Sequence, residues 1–467
     1  MSEDYDYSGG FRARTRVSLA RPGLRNAVAH ATDRQNQLLA ESLDSLKDAE
    51  ALKDLGGAIR ASVLSRLDEH LDRLAQSWEK AGGRVFFAAD ADEANDYVRE
   101  IASRVGARTA VKSKSMASEE IGLNHALESI GVQPIETDLG EYIIQMAGEH
   151  PSHLIAPAVH KQRSDVRELF SKIAGEELPD DASELVRFAR LRLREKFLAA
   201  ELGISGVNFA VADPGVVCIV TNEGNARMCT SMPRTHVAIM GMERVVANWE
   251  QLAVMLSLLG RHGTGQKLTQ YTSLLCGPRR ADESDGPEES HLVILDNGRS
   301  KLLGTRYQDA LRCIRCGACL NVCPVFRQVG GHAYDAVYSG PIGAVLNPLI
   351  KGPQEAGELA HASTLCGACT DVCPVRIPLH DLLLYLRQDY AREAAPRVER
   401  VAYRAWSEAW AGERRFRWFG HAGEVLGRVT RSRPLKRLPL PLLSRWTKGR
   451  TFPGFPRSTF RDRRRGD

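Results

Sequence analysis

The sequence predicts an α/β domain built on a parallel sheet, then a mainly α-helical domain rich in cysteine, then a basic helical or irregular C-terminal extension. Three observations carry that prediction. Short apolar runs alternate with helical stretches from Arg84 to Asn297. Seven of the ten cysteines fall into two short runs between Cys313 and Cys373. From Ala391 to Asp467 there are 20 Lys/Arg against 7 Asp/Glu, a balance of +13 that leaves −8 for the preceding residues of a chain whose net charge is +5.

Residues 1–80 are expected to be a helical segment that packs on the next domain. Leu38, Leu39, Leu43 and Leu46, then Leu52, Leu55, Ile59, Val63, Leu67, Leu71 and Leu74, recur at three- and four-residue steps, the spacing of one helix face. Gly56-Gly57 is expected to interrupt them. Residues 81–300 form the α/β domain. Strands are read at Val85-Phe86-Phe87, Thr109-Ala110-Val111, Val217-Cys218-Ile219-Val220, His236-Val237-Ala238-Ile239 and Leu292-Val293-Ile294-Leu295. Helices are read at Glu93–Val105, Ser118–Ile130, Ala182–Leu202 and Val245–Leu259. Strands apolar on both faces argue for a parallel sheet covered by helices on either side. Arg279 to Pro287 is a polar surface loop.

Residues 301–392 form the cysteine-bearing domain. The 42 residues from Pro324 to Leu365 contain Gly330-Gly331 and Gly340-Pro341, so they are not one helix. Ile377-Pro378 opens a helix. Residues 393–467 form the basic extension, rich in Trp and Arg; Trp406, Trp410, Trp418 and Trp446 are four of the chain's six tryptophans. The start, Met1 to Tyr7, is acidic and polar, and no run reaches the roughly 18 apolar residues of a membrane span. A cytoplasmic chain with reduced thiols is expected.

The cysteine runs point to a specific chemistry. Cys313, Cys316, Cys319 and Cys323-Pro324 make a complete C-x2-C-x2-C-x3-C-P. Cys366, Cys369 and Cys373-Pro374 repeat it with the first cysteine missing, and Ser363 stands in that position. Such runs place three thiolates around one iron–sulfur cubane, while the fourth cysteine reaches into the neighbouring cluster. Two iron–sulfur clusters, of the 4Fe–4S type, are therefore expected. Structural zinc wants four tetrahedrally spaced ligands, and C-x2-C-x2-C crowds three of them. Disulfides among Cys313 to Cys323 would be strained and need an oxidising compartment.

Other chemistry is less legible. No G-x-G-x-x-G follows a strand and no G-x4-G-K-S/T occurs, so no dinucleotide or nucleoside triphosphate site can be read. Lys112 and Lys114 follow a strand and Asn222-Glu223-Gly224-Asn225 follows another, where parallel sheets usually bind ligands. Two lysines there would suit a carboxylate, and ordinary surface lysines would look the same; Arg227 and His236 share that ambiguity. No catalytic residue is assigned. Arg312, Arg315 and Arg327 flank the thiolates, either favouring the reduced cluster or lying solvated beside a turn. For the vacant ligand position three readings stay open: Ser363 as a hard, weak donor, His361 or water, or a labile iron. Cys218, Cys229 and Cys276 fit small core hydrophobes better than a fourth ligand.

Five further stretches stand out: Val111-Lys112-Ser113-Lys114-Ser115-Met116, Thr221-Asn222-Glu223-Gly224-Asn225 and Leu292 to Arg299, and in the cysteine domain Tyr338-Ser339-Gly340-Pro341-Ile342-Gly343 and Ser363 to Cys369. On these residues the chain resembles the lactate utilisation protein B (LutB) family. The resemblance spans nearly the whole chain and includes the serine at position 363. It implies a lactate-utilisation (LUD) domain, a dicluster ferredoxin domain and a basic extension. It implies that Cys313, Cys316, Cys319 and Cys373 hold cluster 1, and that Cys323, Cys366 and Cys369 hold cluster 2, the partition that spacing also gives. It implies LutA-like and LutC-like partner subunits in the oxidation of L-lactate to pyruvate.

Three functions are compatible with this reading. The first is an electron-transfer subunit. It is favoured because alcohol oxidation removes two electrons while each cluster passes one, so a partner or another cofactor must split the pair. The second makes the LUD-like domain itself the site of 2-hydroxy acid oxidation, with Glu223 or His236 as base. The third is a redox sensor with a nucleic-acid-binding tail; it suffers from the absence of any helix-turn-helix or zinc module, and no nucleic acid is expected. The tail mixes Arg with aromatics (Arg415-Phe416-Arg417-Trp418-Phe419), residue types common at protein interfaces. Pro434, Pro439 and Pro441 break any long membrane helix. A partner subunit ranks first for it, peripheral contact with the inner membrane face second.

Overall fold

A computed structural model describes residues 7–429 and positions 451, 454, 455, 458, 460 and 464. One compact unit ends at Tyr390 and a second begins at Ala391. The first holds ten strands: β1 (Arg84–Ala88), β2 (Thr109–Lys112), β3 (Gln133–Glu136), β4 (Leu202–Gly206), β5 (Phe209–Val211), β6 (Val216–Thr221), β7 (Thr235–Gly241), β8 (Val245–Val246), β9 (Tyr271–Leu275) and β10 (Glu289–Leu295).

Six of them form a wholly parallel sheet in the order β1-β10-β7-β4-β2-β3. Its central strand β7 is buried along its whole length, as the doubly apolar pattern requires. Strand register aligns the chain ends that bear on function. Lys112 lies opposite Ile204, Gly206 opposite Ile239 and Gly241 opposite Leu295. The carboxyl ends of β2, β4, β7 and β10 therefore share one edge, where open α/β sheets bind ligands.

The run Val217–Val220 belongs elsewhere. It lies in β6 of a second sheet, ordered β8-β5-β6-β9, in which β6 is antiparallel to β5 and β9. The reason is the short connection Ala212–Gly215 between β5 and β6, too short for the crossover that parallel neighbours need. The expected helix Val245–Leu259 starts later, at Trp249. Val245-Val246 is a β-branched pair that joins β5 as β8, and the Asn248 side chain caps the helix at the Gln251 N–H. The expected helix Ser118–Ile130 divides into Met116–Glu120 and Leu123–Glu128, because Gly122 takes φ +65°. The helix starting at Ala182 stops at Ala199, and Leu202 opens β4.

The N-terminal segment forms helices Phe11–Leu19, Pro22–Asp44, Ala49–Ser65 and Leu67–Lys80. Gly56-Gly57 does not interrupt them. Both lie inside Ala49–Ser65, where a Cβ on Gly56 would sit 3.0 Å from the Pro374 carbonyl oxygen and one on Gly57 3.2 Å from that of Val375. The glycines let this helix press against the end of the second cysteine run. The true breaks are at Ser45–Asp48 and Arg66.

Between the cysteine runs the backbone makes short helices, the longest Gly340–Lys351, and Leu379–Glu393 comes after the second run. In the unit beginning at Ala391, helices Arg397–Trp410 and Glu413–Val429 expose Trp406, Trp410 and Trp418. Trp446, Pro434, Pro439 and Pro441 lie outside the described residues. Among the described residues no helix is long and apolar enough to cross a membrane.

Candidate metal centres and the adjoining cavity

Each cysteine run turns through a left-handed glycine, Gly317 and Gly367, into a four-residue helix, Ala318–Asn321 and Ala368–Asp371. These turns gather the thiols. Cys313, Cys316 and Cys319 of the first run share one small cavity with Cys373 of the second. Burial pushes the Cys316 thiol far above its ordinary range, and the neighbouring Cys313 and Cys373 push it further. Cys369 rises to about 12, through burial and then through its neighbours Cys323 and Cys366. Cys319 also feels Cys369, so the two groups adjoin.

This donor set fits two iron–sulfur clusters. Buried thiols packed this closely resist ionising unless iron compensates their charge. Backbone N–H groups already point at sulfur: Arg315 at Cys313 (3.4 Å), Phe326 at Cys323 (3.5 Å) and Ile377 at Cys373 (3.4 Å). Tyr334 is wholly buried beside Cys319, Cys323 and Cys369, and its hydroxyl has no partner among the described residues, so a cluster sulfur would be an acceptor for it.

The vacant ligand position is more open. Cys366 is exposed, whereas the other six cysteines of the runs are buried. Ser363 is half-buried; its hydroxyl accepts the Leu365 N–H at 3.0 Å and its carbonyl accepts from Arg387 at 2.8 Å. His361 is exposed and stacks edge-on with Tyr390. Cys218 lies in β6 and Cys229 in helix Asn225–Ser231, both buried within the α/β part, and Cys276 is exposed after β9.

The flanking arginines divide. Arg312 pairs with Asp309 at 2.6 Å and Arg327 with Asp33, both partly exposed. Arg315 turns inward, its guanidinium 4.5 Å from the centre of the Tyr338 ring. There it lines a cavity of about 390 Å³ at the carboxyl edge of the parallel sheet, the residue of the first cysteine run that reaches it. Glu243 is the hub beneath. Its carboxylate lies 2.8 Å from Arg299, 3.4 Å from Arg315 and 3.7 Å from Arg244. Burial opposes its charge, but Arg299, Arg315 and Arg244 hold it at about 2. Arg299 also grips Glu120 through two 2.8 Å bonds, and Tyr338 donates to Glu120 at 2.6 Å. Arg60, fully buried, ties this hub to the N-terminal helices through the carbonyls of Val245 (2.9 Å) and Leu311 (3.2 Å).

The residues singled out at the strand ends separate cleanly. Lys112 is buried and ion-paired with Glu119 (2.6 Å) and Glu136 (2.7 Å), so it holds the fold together. Lys114 lines the cavity. Arg227 is exposed and outside it. His236 lies within β7, bonded to Ser205 at 2.8 Å, and is not among the residues that line the cavity; burial and then His291 lower it to about 3, so it stays neutral. Glu223 lines the cavity and accepts the Leu139 N–H at 2.9 Å; burial of its carboxyl and the nearby Asp138 raise it to about 7 although the residue as a whole is exposed. Sequence reasoning missed Glu243, which has no motif. Arg299 and Tyr338 sat inside the family stretches without a role.

Two domain families match this chain: LUD domain over residues 71–295 and 4Fe-4S dicluster domain over residues 309–377. The chain thus carries two 4Fe–4S clusters. It is 48% identical to "Lactate utilization protein B" of Shouchella clausii over 384 residues, 82% of this chain and 81% of that one. It is 46% identical to the protein of that name from Bacillus cytotoxicus over 442 residues, 94% and 93% of the two chains. A duf162 family protein from Deinococcus radiodurans aligns at TM-score 0.28 and 10% identity, covering 49% of this chain and 98% of its own, too loose to support an argument. The chain belongs to the lactate utilisation protein B family.

Proposed function

We propose that this chain is the cytoplasmic iron–sulfur electron-transfer subunit of a complex that oxidises L-lactate to pyruvate, alongside LutA-like and LutC-like subunits. The observation that carries the reading is the convergence of both cysteine runs on two adjoining thiol groups, in a chain so similar to lactate utilisation proteins. Cys313, Cys316, Cys319 and Cys373 are the ligands of cluster 1, and Cys323, Cys366 and Cys369 those of cluster 2. When bound, the clusters pass electrons singly. The chain's part is to exclude water from six of the seven thiols and leave Cys366 at the surface, which makes cluster 2 the one that exchanges electrons there. The test is anaerobic copurification with the partners, then addition of L-lactate under electron paramagnetic resonance. Reduced-cluster signals from about seven to eight irons per chain are expected; stoichiometric zinc, or clusters that lactate leaves oxidised, would overturn the reading.

Cluster 2, with three thiolates and an exposed Cys366, is expected to lose one iron under mild oxidation before cluster 1 is affected. Ser363→Cys supplies a softer donor and should suppress the three-iron signal. Equal lability of both clusters in the wild-type chain would refute this.

The second unit's exposed aromatics and its charge suit a partner subunit. Deleting residues after about 400 should leave iron content unchanged and abolish copurification. Normal assembly of the truncated chain would leave the tail as a tether to the inner membrane face.

One observation favours a second reading, in which the α/β part itself oxidises the 2-hydroxy acid. The cavity lies beside the cluster 1 loop, with Glu223 among its lining residues. Lactate-dependent turnover by the isolated chain with an artificial acceptor would support it.

A further inference from the structure

Asp138 and Glu223 line one part of the cavity, and the cations Lys114, Arg244, Arg299 and Arg315 line the rest with Glu243. Three guanidiniums, Arg244, Arg299 and Arg315, share two carboxylates, Glu243 and Glu120. Arg315 is 8% exposed, yet its Nε and Nη1 have no hydrogen-bond partner among the described residues. Across the same cavity the Lys114 ammonium is buried and also lacks one. Its nearest carboxylate among the described residues, Glu141, stands 3.6 Å away, and burial raises that carboxyl above its ordinary range, which weakens it as a counter-ion. Two further buried lining groups, the Ser113 hydroxyl and the Asn225 carbonyl, are likewise unpartnered. Buried polar groups are normally satisfied, and a buried uncompensated cation is costly. Arg315, Lys114 and Ser113 are donors that line one space, which describes a site built for something anionic, and the Asn225 oxygen beside them is an acceptor that suits a ligand hydroxyl.

The walls narrow the class. Leu154, Ile155 and Val207 line the cavity together with the cations, so the ligand has an apolar body as well as a charged head. At about 390 Å³ the space is at the small end of ligand pockets, suited to a small organic acid and too small for a dinucleotide. Arg315 offers the planar donor fork that suits a carboxylate.

We infer that this cavity binds a small organic carboxylate between Arg315 and Lys114, with the Ser113 hydroxyl as a further donor. Electron transfer by the clusters does not require such a site. The inference rests on the second reading above, in which the α/β part takes the 2-hydroxy acid, and deepens it by naming the residues that hold the carboxylate. It also gives the clusters a sensor of occupancy, because Arg315 stands between Cys313 and Cys316 in the chain.

The test is calorimetric titration of the full, cluster-loaded chain with pyruvate and separately with L-lactate, with inorganic phosphate as the contrast. Saturable 1:1 binding of at least one carboxylate is expected. Affinity should fall by about tenfold or more in Arg315→Gln and in Lys114→Gln, as loss of a charge-assisted hydrogen bond implies. Arg227→Gln, outside the cavity, should leave it unchanged. In the wild-type chain the bound acid should also shift the cluster 1 resonance. Should Arg315→Gln fail to load iron, Lys114→Gln decides alone. No saturable binding, binding of phosphate only, or equal affinity in the Lys114 and Arg227 variants would overturn the site and mean that water fills the cavity and the arginines serve the cluster. Such a failure leaves the electron-transfer reading standing, because lactate-driven cluster reduction in the complex tests that separately.

Discussion

Replacing Cys373 by alanine should remove the cluster of the first cysteine run, and replacing Cys323 should remove that of the second. Each substitution takes a ligand from the run to which the lost cluster does not mainly belong. The expectation rests on the cross-ligation that paired runs show and on Cys373 sharing a cavity with Cys313, Cys316 and Cys319. Iron should fall from about eight to about four per chain in either variant, and electron paramagnetic resonance identifies which signal is lost. If each substitution instead removes the cluster of its own run, the ligand partition is wrong.

Glu243→Ala should destabilise the chain by about 3–5 kcal/mol, the usual cost of removing one partner from a buried ionic network. Arg244 and Arg315 would then lose their carboxylate contact, while Arg299 keeps Glu120. The same network sets an acid limit. The carboxyl of Glu243 is held at about 2, below its ordinary 4.5, so its contribution is complete above the unfolded value and is lost as pH falls from about 4.5 towards 2. Denaturant titrations at pH 7 and pH 3 check both points. The difference in stability between wild type and Glu243→Ala should shrink at the lower pH, and a constant difference would place the cost in packing instead.

The cysteine spacing carried the metal chemistry almost completely, because ligand geometry on a tight turn is a local property that sequence records. The parallel sheet was legible for the same reason: strands buried on both faces read as continuous apolar runs. What escaped was long-range. Nothing in Val217–Val220 distinguishes a second antiparallel sheet from the first; the short turn before it does. Lys112 and Lys114, two residues apart on one strand end, looked alike, and only the folded chain shows that Glu119 and Glu136 neutralise the first. Glu243 became the hub because Arg299 and Arg315, distant in sequence, converge on it. No local pattern announces that.

Gly56 and Gly57 bear on the order in which the molecule can be made. Their helix rests against the carbonyls of Pro374 and Val375, and Lys53 on it donates to the Asp371 carbonyl at 2.9 Å. The partner of this early helix leaves the ribosome more than three hundred residues later. Until Cys373 emerges, the first thiol group has three members and the helix has an open flank, so final closure of this region and completion of that metal site are one event after synthesis. Amide hydrogen exchange within residues 49–65 should then report whether iron has been inserted, slow in the loaded chain and fast in the stripped one.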